Sequence, residues 1–116
     1  MLLEELRNIC LSFPFVTEDI KWENHLCFNV GEKMFMITSP DTFPVSLSMK
    51  VNDEDFISLC EIEGIKPAPY LARYKWVHVA DISILSKEQW NDYSRKAYQM
   101  VYDKLSRKVK DSLGNS

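Results

Sequence analysis

"LCFNVGEKMFMIT", residues 26–38, carries the pattern on which the fold turns. Leu26, Phe28 and Val30 alternate with Cys27 and Asn29, a period of two that sends one set of side chains to each face of a strand. Gly31-Glu32-Lys33 then turns the chain, and "MFMIT" (34–38) resumes as a second strand. Beyond it, Ser39-Pro40-Asp41 marks a loop, and "PVSLSMKV" (44–51) alternates Val45, Leu47, Met49 and Val51 with other partners. Three successive strands are most simply an antiparallel meander.

Toward the N-terminus, "VTEDIKWE" (16–23) reads as an irregular link. Before it, Leu2, Leu3, Leu6, Ile9, Cys10 and Phe13 recur at helical spacing. Pro14 ends that helix, because the residue before a proline is pushed out of helical geometry. Toward the C-terminus, Asn52 can cap a helix over "DEDFISLCEIE" (53–63), with Asp53, Glu54 and Asp55 at its positive end and Gly64 as its stop. Trp76, Val77, His78 and Val79 form another strand. Ser86 and Gln89 make a capping box for a long final helix whose inward stripe is Trp90, Tyr93, Ala97, Val101 and Leu105. Past about Lys108 that helix is expected to fray.

Strands that run together rather than alternating with helices predict an α+β fold. It has two layers, an antiparallel sheet with helices packed on one side, in the order α-β-β-β-α-β-(β)-α. The bracketed strand falls around 66–72 or 82–85. A length of 116 residues is that of one domain, here residues 1–110 with a frayed tail over 111–116.

With 46% apolar and 27% charged residues the composition is that of a globular chain, not a disordered one. Apolar runs are too short to span a bilayer, and Glu4 and Glu5 interrupt any signal-peptide core. A cytoplasmic protein with no membrane partner is expected. Cys10, Cys27 and Cys60 lie among apolar neighbours without C-x-x-C spacing and read as reduced, structural cysteines.

Catalytic signatures are missing. Three glycines leave no phosphate-cradling loop and no G-x-S-x-G. His25 and His78 sit in separate strands, and His25 with Cys27 supplies only two ligands where a structural zinc needs four. Glu18, Asp19 and Glu23 around Trp22 read as a solvated loop rather than an acid/base pair. The expectation is a non-enzymatic protein with no cofactor and no metal.

Charge is distributed unevenly under a net −3. Residues 1–63 hold 4 bases and 12 acids, whereas residues 64–116 hold 10 bases and 5 acids. Such a chain either presents one positive face to an anionic partner or interleaves its halves so that the difference vanishes in space.

The stretch "GIKPAPYLARYKWVHV" (64–79) interleaves Lys66, Arg73 and Lys75 with Tyr70, Tyr74 and Trp76. Cations neutralise phosphates and rings offer stacking faces to bases. Arg95, Lys96, Lys104, Arg107, Lys108 and Lys110 on the last helix extend the same field. The competing reading is architectural. Pro67 and Pro69 preset a change of direction, Trp76 joins the core, and Tyr70 packs with Leu71 beneath the turn.

"VTEDIKW" (16–22), "GEKMF" (31–35), "KPAPYLARYKWVHV" (66–79) and "KAYQMVYDKL" (96–105) together resemble the MmcQ/YjbR-like family in order and spacing. One departure is Glu23, where the family commonly has a small residue. The resemblance implies a secretion-chaperone-like or frataxin-like (CyaY-like) α+β architecture and a DNA-binding role through strand-loop wings. Mapped by position, the wings are the loop after Thr38 and the region from Lys66 to Lys75. The first wing, "SPDTFP" (39–44), carries an acid and no base, a poor contact for phosphate.

Two functions follow. In one, a binding module contacts DNA phosphates with Lys66, Arg73, Lys75, Arg95 and Lys96 and stacks bases on Tyr70 or Tyr74. In the other, a protein-interaction or chaperone-like module engages a protein partner, or itself as a homodimer through an open sheet edge.

Overall fold

The computed structural model describes residues 3–22 and 24–114. Leu2, Glu23 and residues 115–116, on which parts of the sequence reading fall, lie outside the described residues.

The hairpin forms as its alternation predicts. Strand β2 (His25–Val30) pairs antiparallel with β3 (Lys33–Ser39) across a two-residue turn. Gly31 and Glu32 both take positive φ, 57° and 66°, the twist that lets two strands continue into each other. A bulge sets Asn29 opposite Met34 and Phe28 opposite Met36, leaving Phe35 as the extra residue. Both Phe35 and its neighbour Met36 can then face the helices, and both are fully buried.

On the other side of β2 lies β1 (Val16–Lys21), antiparallel from Val16 opposite Val30 to Lys21 opposite His25. This corrects the reading of 16–23 as an irregular link. An acid at the inward position of Glu18 disguised the strand. Arg7 of α1 (Leu3–Leu11) satisfies that acid from above, donating from Nε to Oε2 at 2.7 Å and from Nη2 to Oε1.

Strand β4 (Ser46–Lys50) pairs with β3, and after helix α2 (Asp53–Cys60) the chain returns through β5 (Ile65–Pro67) and β6 (Trp76–Val79). The finished sheet has six antiparallel strands in the order β1-β2-β3-β4-β6-β5. Of the two places considered for a short strand, 65–67 is one, while Ile82–Ile84 is a 3-10 turn capped by Asp81. Asn52 caps α2 by accepting from the Asp55 N–H at 2.7 Å.

Helix α3 (Lys87–Asp103) begins with the expected capping box, in which the Gln89 N–H reaches the Ser86 hydroxyl and the Ser86 N–H reaches the Gln89 side chain. Instead of fraying, the chain breaks after Lys104 and starts a fourth helix, α4 (Arg107–Gly114), with the Ser106 hydroxyl accepting from the Val109 N–H. Val109 and Leu113 of α4 pack on the core.

The four α-helices of the described residues share one core with one face of the sheet. Leu6 and Cys10 of α1, Leu59 of α2 and Trp90, Ala97 and Val101 of α3 meet Phe28, Met36, Leu47, Met49, Val77 and Val79. Each large apolar side chain buried this way contributes roughly 1.5–3 kcal/mol. The Trp90 indole N–H donates to the Ile82 carbonyl at 2.7 Å, and the Tyr98 hydroxyl to the Pro14 carbonyl at 2.8 Å. By strand register the opposite face carries Lys21, His25, Ser46, Ser48, Lys66 and His78, together with Cys27, Ile37, Lys50 and Trp76.

Candidate nucleic-acid interface

At one end of the sheet the β2–β3 turn, the start of β6 and the α3–α4 elbow converge. Gly31 makes this possible, since a Cβ there would lie 2.6 Å from Leu105 Cδ1 and 3.0 Å from Val109 Cγ1. The elbow therefore rests directly on the turn. Beside it opens a cleft of about 520 Å³ with apolar walls of Met34, Trp76, Val101, Leu105 and Val109. Lys33, Lys50 and Lys104 also line it.

A second hollow of about 590 Å³ shares Lys50, Tyr74 and Lys104 with the first and adds Arg73 and Lys75. Together they make a groove with five cations. Asp53 and Asp103 line the second hollow only, so the first holds cations without acids. Among the described residues none of the five cations is in an ion pair, in contrast to Arg7, Lys87 and Lys96.

Strand pairing sets Lys50 opposite Trp76, and its ammonium donates to the Tyr74 carbonyl at 2.7 Å. Burial pushes the Lys50 pKa below its usual value and Lys104 adds to the push, while Asp53 offsets part of it.

The stretch 64–79 turns out to be a hairpin. The Ala68 N–H extends the β5–β6 ladder to the Trp76 carbonyl at 3.0 Å, which explains the two flanking prolines as architecture. Trp76 is 6% exposed, as its core reading predicts. Tyr70 departs from that reading. Its φ of 66° swings it outward, and it is 99% exposed. Tyr74 is 50% exposed, with the Arg73 guanidinium 4.9 Å from its ring centroid and bonded to its hydroxyl at 2.7 Å. Lys75, at φ 63°, holds its ammonium 4.9 Å from the Phe56 ring.

Of the residues singled out in the sequence, then, Arg73, Tyr74 and Lys75 come together in the groove, and Lys104 joins them from the end of α3. Lys66 pairs with His78, whose pKa is lowered by burial and by Lys66, and it lines neither hollow of the groove. Arg95 lines a separate hollow with Glu88, Asn91 and Asp92. Lys96 lies 3.3 Å from both Asp55 and Asp92. Burial works against its charge, and the two carboxylates more than offset that, raising its pKa.

Sequence reasoning missed Lys33 and Lys50. The only signal for them was a lysine beside the hairpin turn and another at the end of β4, and neither marks a site until the strands are paired. With them the charge asymmetry is partly redistributed, since two of the four bases of residues 1–63 face three from the basic half.

On the sheet face away from the helices, Ser48 Oγ lies 3.0 Å from His78 Nδ1 in a shallow hollow of about 170 Å³. Among the described residues no group of three histidine, cysteine or carboxylate side chains could hold a metal ion. No helix among them is long and apolar enough to cross a membrane.

Comparison with known proteins finds the YjbR family model matching residues 11–100. The crystal structure of a Deinococcus radiodurans protein with a DUF419 domain superposes with a TM-score of 0.84 at 26% identity, over 97% of this chain and 87% of that one. A Pseudomonas syringae protein superposes with a TM-score of 0.70 at 16% identity, over 87% of this chain and 99% of that one, a likeness of fold alone. No curated protein matches the sequence.

Proposed function

The chain belongs to the YjbR family, and from that premise we propose that it is a small, non-enzymatic, cytoplasmic module that binds nucleic acid along the groove between the β2–β3 turn, the start of β6 and the α3–α4 elbow. The observation that carries this reading is the convergence of Lys33, Lys50, Arg73, Lys75 and Lys104, none in an ion pair with a described residue, around an apolar cleft. Cations beside aromatic and apolar walls are the surface that tracks a phosphate backbone and receives bases. A net charge of −3 does not oppose this, because binding responds to the local field of a groove. The one-sided helical layer over a six-stranded sheet fits a frataxin-like architecture; of the two expected wings the loop after Thr38 lines neither hollow of the groove, and the 66–75 wing contributes Arg73, Tyr74 and Lys75.

The test is binding of a labelled DNA oligonucleotide across a salt series. With all five cations engaged, log K falls with log salt at a slope of about −3.5 on a single strand. Lys104→Glu should flatten the slope by at least about 0.7, the share of one contact. Absence of binding at ~50 mM salt, where screening is weak, would refute the reading.

A protein-interaction reading draws on a different observation. Strand β1 forms one edge of the sheet and exposes Ile20 (59%), with Trp22 (68%) just past its end. Sedimentation equilibrium would reveal a dimer through this edge, and Ile20→Lys should then dissociate it.

A further inference from the structure

Trp90 and Trp76 are both buried, yet they are treated differently. The Trp90 indole N–H donates to the Ile82 carbonyl, whereas among the described residues nothing accepts from the Trp76 indole N–H. Among the described residues the fully buried side-chain polar atoms without a partner are His25 Nδ1, Asn29 Oδ1 and Ser94 Oγ, so the unbonded Trp76 N–H is open to solvent and free to meet a ligand. Trp76 lines the 520 Å³ cleft, together with Lys33, Lys50 and Lys104. The cleft thus presents an apolar floor, an accessible N–H donor and three cations that are in no ion pair with a described residue.

We propose that this cleft takes one unpaired nucleotide of a single strand, its base against Trp76 and its phosphate between Lys50 and Lys104. This deepens the nucleic-acid reading and rests on it. The volume lies within the roughly 300–1,000 Å³ typical of small-molecule sites, room for a base and its sugar. A base has acceptor atoms on its edge for the indole N–H and an apolar face for Met34, Val101 and Leu105. The half-exposed Tyr74 ring stands at the junction with the second hollow, where Arg73 and Lys75 meet the next phosphate. A blunt duplex keeps its bases stacked and paired inside the helix. It can offer the cleft phosphates only, unless it spends free energy flipping a base out. The protein therefore discriminates single strand from duplex.

The experiment compares a ten-nucleotide DNA strand with the blunt duplex of the same sequence, at ~50 mM salt. The wild-type protein should bind the strand at least about tenfold tighter, a stacked base being worth that much or more. Met34→Trp, which fills the cleft from its wall, should remove most of the preference and leave duplex affinity within about twofold. Because a filled cleft could also disturb folding, a second measurement uses Trp22→Phe, which deletes an exposed indole outside the groove. In that variant, emission from the remaining tryptophans should be quenched at saturation by the strand and not by the duplex. Duplex binding as tight as single-strand binding, or saturation without quenching, would overturn the single-nucleotide pocket and leave the nucleic-acid groove standing. Failure of both ligands to bind would overturn the groove and the pocket together.

Discussion

Replacing Gly31 by alanine tests the contact on which both the hairpin and the cleft depend. The residue has φ +57°, where an L side chain costs about 1–2 kcal/mol. The added Cβ would also meet Leu105 Cδ1 at 2.6 Å and Leu105 Cδ2 and Val109 Cγ1 at 3.0 Å. These are ends of flexible side chains, so the overpacking term should sit near its lower limit, about 1 kcal/mol. Against both stands the loss of unfolded-state freedom when glycine becomes alanine, worth roughly 0.4–1 kcal/mol of stabilisation. The balance is a destabilisation of about 1–3 kcal/mol. Guanidinium unfolding followed by circular dichroism should show a lower midpoint at unchanged slope. A double-mutant cycle with Leu105→Ala separates the two causes. Removing the Leu105 methyls makes room for the Cβ, so the pair should couple favourably by about 1 kcal/mol or more. A Gly31→Ala protein within 0.5 kcal/mol of wild type would refute the argument, and a coupling near zero would refute the contact with Leu105.

Three further outcomes follow from other parts of the chain. Trp90→Phe leaves the buried Ile82 carbonyl without its donor and opens a small void, and should destabilise by roughly 2–4 kcal/mol in the same unfolding assay. Arg7 holds the Glu18 carboxyl below its usual value of 4.5, so the stability from this pair is present above about pH 4.5 and is lost as pH falls through the lower folded-state value. Glu18→Gln should accordingly be less stable at neutral pH and show a shallower acid limb in thermal melts across pH. Burial pushes the Cys10 thiol up to about 12 and also shields Cys27, whereas Cys60 is partly exposed. Thiol titration of the native protein should therefore modify Cys60 first, with the other two reacting only on denaturation.

Local signals survived into the fold wherever a short stretch satisfied itself. The Gly31-Glu32 turn, the Asn52 cap and the Ser86–Gln89 box are each closed by neighbours in sequence. Strand β1 was hidden because its inward acid is answered by Arg7, 11 residues away. The break between α3 and α4 was hidden for another reason. Val101, Leu105 and Val109 keep a four-residue spacing straight through it, so the apolar stripe looks continuous while Ser106 restarts the helix. Tyr70 carries two readings in the sequence, a stacking face and a ring packed beneath the turn, and a positive φ after Pro69 turns it to solvent. Of the groove, Arg73, Tyr74 and Lys75 were legible as one basic-aromatic run. Lys33 and Lys50 were not, because only the pairing of β2, β3, β4 and β6 brings them to the same end of the sheet.

The most direct test of the groove is a proton–nitrogen NMR titration of the labelled protein with a ten-nucleotide DNA strand. Nucleic acid bound where the cations converge should move the amides of Gly31, Lys104 and Ser106 and the indole signal of Trp76. The Trp90 indole, already bonded to Ile82, and the amides of Ser48 and His78, which line a separate hollow, should stay in place. Shifts confined to Ser48, His78 and Lys66, or no shifts at all, would contradict the account.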